Sequence, residues 1–363
     1  MTYNAASYIA DCLESLLLCK YPAMRIVVVD NASTDDTVAT VRAWTSAAPP
    51  ALRADWPFAQ TPRAVRPVTL AECGENVGDL RHEATVTLVH ARCNQGFAGG
   101  SNIGLRMLLA DPAITYLWNL NPDTLVDPRA PAAFVARAAQ LGRFAVIGPR
   151  IVYVADPGRI QLDGGRLSPF TAAVKAINSN RPAIGTPAPA EDDLDFISGA
   201  SMFASREFIL RAGLMDPGYF LYYEEIDWQL RRGDLPLAFA ADAVVFHHSG
   251  AAIGSGGITK PSPLSVYFTH RNLPRFVARW FPLQLPAAYL FAWARMLTRL
   301  DGSWIQFVAF LTGLHQLPPP AAVRDQLVGA NWRPNRNDCA LNHLAGAAGN
   351  VSAIDASRAS RRP

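Results

Sequence analysis

Charge is scarce in this sequence. Of 363 residues only 17% are Asp, Glu, Lys or Arg, half are hydrophobic, and the formal net charge is +3. So small an excess leaves no bulk electrostatic footprint for a nucleic acid, and that class of partner is excluded at this level. Cysteine is sparse too, with five residues at 12, 19, 73, 93 and 339, no C-x-x-C pair and no zinc-ligand spacing. A disulfide framework is therefore not expected, and reduced thiols are. The opening MTYNAASYIADCLES lacks the basic start and uninterrupted apolar core of a signal peptide. No apolar run reaches the ~20 residues that a bilayer-spanning helix needs. WIQFVAFLTGL (304–314) is too short, and the segment 283–297 is interrupted by Pro286 and Arg295. What remains is a chain longer than one typical domain, with ample core and enough apolar character to meet a membrane surface.

The front half alternates between two periodicities. Ile9, Cys12, Leu13, Leu16 and Leu17 repeat at helical spacing, and RIVVVD (25–30) is a continuous apolar run of the kind buried in a parallel sheet. NASTDDTVATVRAW opens a second helix, with Ser33 or Thr34 as its cap and Asp35 and Asp36 in its first turn. Residues 45–84 hold five prolines and no sustained period, which predicts an irregular insertion. A strand TVTLVHA (85–91), a loop RCNQGFAGGSNIG, a helix over 101–109 and a strand ITYLWNLN (114–121) follow. This alternation predicts an α/β fold with an open, mostly parallel sheet whose ligands sit at strand carboxyl ends.

Three strand-end features converge on that edge. Asp30 closes the first visible strand, where a carboxylate either accepts from a base or ribose or caps the next helix. NQGFAGGSNIG (94–104) has glycines that let backbone approach a phosphate, or that merely reverse the chain. Asp123 follows a strand in LNPDT, as a ligand or a turn residue. Further on, GYFLYYEEIDWQLRR (218–232) sets Glu224, Glu225 and Asp227 behind an aromatic run. Charges beside Phe220, Tyr222, Tyr223 and Trp228 are costly unless a cation, a hydrogen bond or a substrate proton answers them. In a helix from Tyr223 to Gly233, Asp227 and Arg231 pair at i,i+4, and Glu225 points away from that pair.

Taken in order, TYNAASYIADCLESLL, VVVDNASTDDT, NQGFAGGSNIGL, LNPDT, FISGASMFASRE and YYEEIDWQLR resemble family 2 of the inverting nucleotide-sugar glycosyltransferases over roughly residues 2–275. The nearest resemblance is to rhamnosyltransferase-like and galactofuranosyltransferase-like members. It implies a GT-A fold, a dTDP- or UDP-linked sugar donor, a divalent metal (Mg²⁺ or Mn²⁺), and displacement at the anomeric carbon by an acceptor hydroxyl. The implied metal ligands are Asp123, in an Asn121-Pro122-Asp123 variant of the Asp-x-Asp motif, and His247 or His248, with His247 preferred. Glu225 takes the position of the general base, with Glu224 as the runner-up. Donor contacts are implied for Thr2, Tyr3, Asn4, Asp30, Asn94, Gly96, Gly99, Gly100, Asn102, Asn121 and Arg271, and acceptor contacts for Tyr223, Trp228 and Asp227. Two rivals stand beside this reading: a catalytically silent sugar-nucleotide-binding or scaffold protein, and a nucleotidyltransferase on a similar domain.

The carboxyl-terminal third predicts where the molecule works. In RNLPRFVARWF (271–281), Leu273, Phe276, Val277, Trp280 and Phe281 fall on one helical face while Arg271, Arg275 and Arg279 recur every fourth residue. Such a basic amphipathic helix predicts peripheral contact with an anionic membrane, here the cytoplasmic face of the plasma membrane, in the service of cell-envelope glycan synthesis. The expected division is a catalytic domain over 1–260, a helical segment over 261–330 and a loosely ordered tail over 331–363. In the family that the chain resembles, TYN follows an apolar strand. Thr2-Tyr3-Asn4 here comes straight after Met1, so roughly five to ten further residues, mostly Val and Ile, are expected upstream.

Overall fold

A computed structural model describes residues 1–19, 21–46, 56, 58, 68–76, 83–168, 170–248, 261–299 and 303–327. The chain opens with helix α1 (Ile9–Leu17), strand β1 (Ile26–Asp30), helix α2 (Thr37–Ser46), and strands β2 (Leu70–Gly74) and β3 (Val86–His90). β1, β3 and β2 form a parallel sheet in that order. Its β-branched residues alternate between two faces, as the pleat demands. Val28, Val86 and Leu88 pack with Ile9, Leu13, Val41 and Trp44 of α1 and α2. Val29 and Val89 pack on the other side with Ile103 and Met107 of helix α3 (Gly96–Leu109).

A second sheet is built from β4 (Tyr116–Leu120), β5 (Thr124–Val126), β6 (Val146–Tyr153), β7 (Ile160–Leu162), β10 (Ser201–Ser205) and β11 (Leu237–His247). Helix α4 (Ala130–Leu141) precedes β6, and a small ribbon of β8 (Gly165–Leu167) and β9 (Val174–Ala176) precedes β10. Helices α5 (Arg206–Ala212) and α6 (Glu224–Leu230) lie between β10 and β11. The order is β4-β10-β6-β11-β5, with β7 on β6. The α/β class is as expected, but this sheet is mixed rather than mostly parallel: only β6 and β11 run parallel. No crossover helix separates β6 from β10, and without one the returning strand lies antiparallel.

Four local expectations change. A strand, β2, falls inside the insertion expected to be irregular, and the rest of 45–84 lies largely outside the described residues, as does 331–363. Helix α2 starts at Thr37, whose N–H donates to Asp35 at 3.0 Å, so Asp35 does the capping expected of Ser33 or Thr34. Helix α3 starts at Gly96 rather than 101. Cys12 and Cys19 are free thiols, whereas Cys93 is disulfide-bonded, contrary to the expectation of reduced thiols throughout.

The last third is helical: α7 (Pro263–Trp280), α8 (Leu285–Arg299) and α9 (Trp304–Leu314). Ser262 caps α7 by accepting from Ser265 N–H at 3.2 Å, and Pro263 fills the first turn where its missing N–H costs nothing. Phe268, Phe276, Phe310 and Leu314 share one core with Tyr219, Phe220, Tyr223 and Ile226, so these helices bury the loop that leads into α6. Among the described residues no helix is long and apolar enough to cross a membrane.

Candidate active site

Strand register assembles the first cluster. β11 runs antiparallel to β5 with His247 opposite Thr124, which places Asp123 beside the end of β11. His247 Nε2 lies 3.3 Å from Asp123 Oδ1. On its other side, His247 Nδ1 is 2.9 Å from Oε1 of Gln161 in β7. An amide oxygen only accepts, so Nδ1–H donates to Gln161 while Nε2 faces the carboxylate of Asp123. A carboxylate oxygen beside an imidazole nitrogen whose ring is fixed through its second nitrogen is the usual arrangement of a metal-ligating pair. The residues present therefore fit a divalent cation. Among the described residues no group of three or more His, Cys, Asp or Glu gathers to hold one. Two protein ligands suit Mg²⁺ or Mn²⁺ when phosphate oxygens and water complete the shell. His248 is placed elsewhere: its N–H donates to Asp123 O at 3.0 Å and its ring packs on Tyr8 with centroids 4.9 Å apart. Of the two histidines, it is the ring of His247 that faces the Asp123 carboxylate.

The second cluster is the start of α6. Glu224 is buried and Glu225 half-buried, and each keeps Oε2 out of solvent without a hydrogen bond. Burial pushes both carboxyls up, Glu225 to about 7 and Glu224 well above the usual range, the latter helped by the charge of its neighbour. Both carboxyls are thereby biased toward the protonated form. The loop before them is unusual. Phe220, Tyr222 and Tyr223 all have positive φ (63°, 69° and 72°), a region that bulky residues rarely enter unless the surroundings hold them there.

The carbonyls of that loop are held by other elements. Asn272 Nδ2 in α7 donates to Tyr219 O and Leu221 O at 2.8 Å and to Tyr222 O at 3.0 Å. Phe97 N–H donates to Phe220 O at 2.7 Å, and Arg271 to Gly218 O at 3.2 Å. Gly96 sits so close that a Cβ there would lie 2.2 Å from Phe220 O, and its own φ of 71° also requires glycine. Gln229 of α6 accepts from Ile197 N–H at 2.7 Å and donates to Ile197 O at 2.8 Å, which pins the turn over 197–200 to the helix. Gly199 then lies against Glu225, and Ala200 O accepts from Asn121 N–H at 3.0 Å. One turn thereby links the carboxylate pair to the Asn121–Asp123 loop.

Several expected site residues have structural duties instead. Trp228 is 0% exposed, donates to Gly213 O at 2.7 Å and packs on Phe208, so it is no wall for an acceptor. Asp227 is equally buried and serves an ion-pair cluster. Tyr223 is buried against Phe276. Asn102 is spent on a clamp with the backbone of Met215, at 2.8 and 3.0 Å. Gly99 and Gly100 are buried within α3 rather than cradling a phosphate, and a Cβ on Gly100 would meet Asn31 at 2.9 Å. Asn94 Oδ1 accepts from Asn31 Nδ2 and Gly96 N–H, which shapes the turn into α3. Arg271, expected at the diphosphate, holds the 218 carbonyl. Thr2, Tyr3, Asn4 and Asp30 do gather at the carboxyl end of β1: Thr2 bridges Asp30, Ser33 N–H donates to Asp30, and Asn4 Oδ1 accepts from Thr34 N–H at 2.8 Å. Gln161 and Asn272 had not been singled out for these duties. Asn272 sat in plain view beside Arg271, whereas nothing local marks Gln161.

A family model described as Glycosyl transferase family 2 matches residues 1–53. No curated protein matches the chain significantly. Among solved structures, S. aureus TarS 1-349 is similar at 13% identity over 90% of this chain and 80% of that one, TM-score 0.47. The mannosyltransferase PcManGT from Pyrobaculum calidifontis, in complex with GDP-Man and Mn²⁺, is 18% identical over 96% and 77%, TM-score 0.45. GalNAc-T7 with UDP, GalNAc and Mn²⁺ is 15% identical over 88% of this chain and 55% of that chain, TM-score 0.49. The layering described above, with the match over residues 1–53, is α/β of GT-A type. At these identities and TM-scores the structural likenesses carry nothing about activity.

Proposed function

We propose that the protein is an inverting glycosyltransferase that moves a hexosyl group from a dTDP- or UDP-linked donor to a hydroxyl of a cell-envelope glycan or its lipid-linked precursor. The observation that supports it most is the Asp123–His247 pair, with Nε2 facing the carboxylate at 3.3 Å and Nδ1 held by Gln161, joined through the turn over 197–200 to two carboxyls of raised pKa. Asp123 and His247 would hold a divalent cation, which when bound stabilises the negative charge of a diphosphate leaving group. Asp30, Thr2 and Asn4, at the carboxyl end of β1, are placed to receive the nucleoside. Glu225, on the accessible side of the pair, takes the proton of the attacking hydroxyl, and inversion follows from a single displacement. Glu224, the more buried of the two, favours its protonated form and so adds no second charge beside Glu225. The 2 to 275 resemblance favours rhamnosyltransferase-like chemistry. The tested outcome is direct: a screen of purified nucleotide sugars with Mn²⁺ or Mg²⁺ should show hydrolysis or transfer from one dTDP- or UDP-sugar, abolished by chelator. A folded protein that binds no nucleotide sugar would end this reading.

The enzyme is proposed to work as a peripheral protein at the inner face of the plasma membrane. The contact is proposed on the apolar stripe of α8 rather than on the basic face of α7, where Arg275 pairs with Asp216 at 2.7 Å and Arg279 with Asp227 at 3.1 Å.

A further inference from the structure

The hydrogen bond between Gln161 and His247 reaches across β6, and regular strand pairing would not make it. β11 runs parallel to β6 with Phe246 opposite Val152 and His247 opposite Tyr153. β7 runs antiparallel along the other edge of β6, with Leu162 opposite Ile151. A one-for-one ladder would next set Gln161 opposite Val152. Paired residues share a face and faces alternate along a strand, so Gln161 would then point with Val152 and Phe246, away from His247. The ladder slips instead: Val152 pairs with Ile160, which leaves Gln161 as the extra residue of a β-bulge. The bulge turns it onto the face of Ile151, Tyr153 and His247, where its Oε1 meets Nδ1 at 2.9 Å.

The slip is held from the other face. Arg150 lies two positions before Val152 on β6, and so on the side away from His247. It grips Asp163, the residue after β7, through Nε at 3.2 Å and Nη2 at 2.9 Å, and that carboxylate has no exposure. Asn178 Nδ2 donates to the same carboxylate at 2.9 Å, and Asp163 N–H donates to Ile177 O at 3.1 Å. The rest of the guanidinium holds the surrounding loop, donating to Ala183 O at 2.8 Å and to Thr186 O at 3.0 Å. Arg150 also stands where the second neighbour slips, since Ala240 pairs with Pro149 but the next rung joins Val244 to Arg150. A buried ion pair adds little net stability over an apolar pair of like volume, and its best-attested use is to fix one register.

We propose that Arg150 and Asp163 are positioning residues for the Asp123–His247 pair. Their ion pair keeps β7 in the bulged register, which keeps Gln161 on the imidazole and the imidazole turned to Asp123. The consequence for cation binding rests on the function proposed above; the consequence for the ring does not.

The test replaces both charges at once, because either single change strands the other charge in the interior. Arg150→Met combined with Asp163→Leu in the full chain is expected to fold and to lose the fixed Nδ1–H tautomer of His247. It should also bind Mn²⁺ in the presence of UDP about 10–100-fold more weakly than the parent. The tautomer is read from ¹⁵N shifts of labelled histidine at about pH 8, where an ordinary imidazole is neutral, with His247→Ala supplying the assignment. Adding Gln161→Leu should weaken Mn²⁺ binding by no more than about twofold further, since the three residues act through one hydrogen bond. A folded double variant that keeps the tautomer and the parent's affinity overturns the proposal, and so does a further loss of about tenfold on adding Gln161→Leu. Should the double variant not fold, Asn178→Gly suits the positive φ of 57° at that position and removes one donor to Asp163 with both charges kept. It is expected to leave His247 with a mixture of tautomers, and an unchanged tautomer there overturns the proposal. A parent that binds no Mn²⁺ overturns the cation site alone, and the tautomer then decides the positioning.

Discussion

Arg279 of α7 lies 3.1 Å from the carboxylate of Asp227 in α6, a side chain with no exposure at all. The same carboxylate takes Trp280 Nε1 at 2.9 Å and Tyr219 OH at 3.3 Å, and stands 3.3 Å from Arg231 Nε. The carboxyl-terminal helices are thereby fastened to the short helix that presents Glu224 and Glu225. Removing the carboxylate leaves the partly buried Arg231 without its counter-charge and Arg279 with only the longer contact to Asp216 at 3.6 Å. Asp227→Ala is expected to cost about 3–5 kcal/mol of unfolding free energy and to lower turnover more than donor affinity, as read by urea denaturation and by kcat against KM. A stable, fully active Asp227→Ala enzyme would refute the fastening role.

The carboxylate pair links activity to pH with a definite sign. Burial raises Glu225 from 4.5 to about 7, so the folded state holds its proton more tightly than the unfolded chain does. The stability that this contributes is complete below about pH 4.5 and is lost as pH rises through about 7. Activity runs the opposite way, since the base must be ionised: kcat/KM should rise about tenfold per pH unit on the acid side and level off above the apparent pKa of the pair. Glu225→Gln should then be about 2–3 kcal/mol more stable than the parent at pH 8 while turnover drops ~100-fold or more. A loss of stability together with a modest loss of rate would move the base to Glu224.

Much of this site was legible because its signals are local. The β-branched run at 26–29 and the spacing of Ile9, Leu13 and Leu16 specify buried faces on their own, and the motifs LNPDT and YYEEIDWQLR set Asp123 after a strand and Glu225 on a helix. What was misread depends on partners far away in sequence. The glycines at 96, 99 and 100 look like a phosphate loop, yet their smallness answers Phe220, Gln95 and Asn31 in turn. Arg275 and Arg279 look like a basic outer face, yet Asp216 and Asp227 face them across the helix packing. Asp227 and Trp228 look exposed beside two glutamates, but a short helix that buries most of its circumference leaves little but Glu225 partly open. Gln161 is 86 positions from His247, and only the pairing of β7, β6 and β11 brings them together.

Gln161 gives the cation site a test that Asp123 alone does not. Asp123→Ala and His247→Ala each remove a proposed ligand and should abolish metal-dependent nucleotide binding, while His248→Ala should leave it largely intact. Gln161→Leu keeps both ligands but frees the imidazole to rotate or to protonate at Nε2, and is expected to weaken Mn²⁺ affinity by about 10–100-fold. Calorimetry of Mn²⁺ in the presence of UDP or dTDP reads all four. Equal affinities for the parent and Gln161→Leu proteins would show that the ring is held by something other than this amide, and unchanged activity after thorough chelation would remove the metal from the mechanism.

The surface expected to meet a membrane shifts from α7 to α8. Leu283 is 95% exposed, Leu290 73% and Trp304 71%, with Leu297 and Ile305 also exposed. Leu283, Ala287, Leu290, Ala294 and Leu297 follow one another at intervals of three and four, so the segment turns a continuous apolar stripe to solvent on the face opposite Ala288, Ala292 and Met296, which pack inward. A stripe of this kind with an indole at its end suits the interfacial zone of a bilayer. Burying one such leucine is worth about 1.5–3 kcal/mol, so Leu290→Ser and Trp304→Ser should each weaken binding to phosphatidylglycerol-containing vesicles about tenfold without unfolding the protein. Arg275→Glu should act differently: it breaks the pair with Asp216, lowers thermal stability, and changes vesicle binding little in the fraction that stays folded. Sedimentation with vesicles, with circular dichroism on the same samples, separates the two effects. Binding that survives both apolar substitutions but disappears with Arg275→Glu would return the contact to α7.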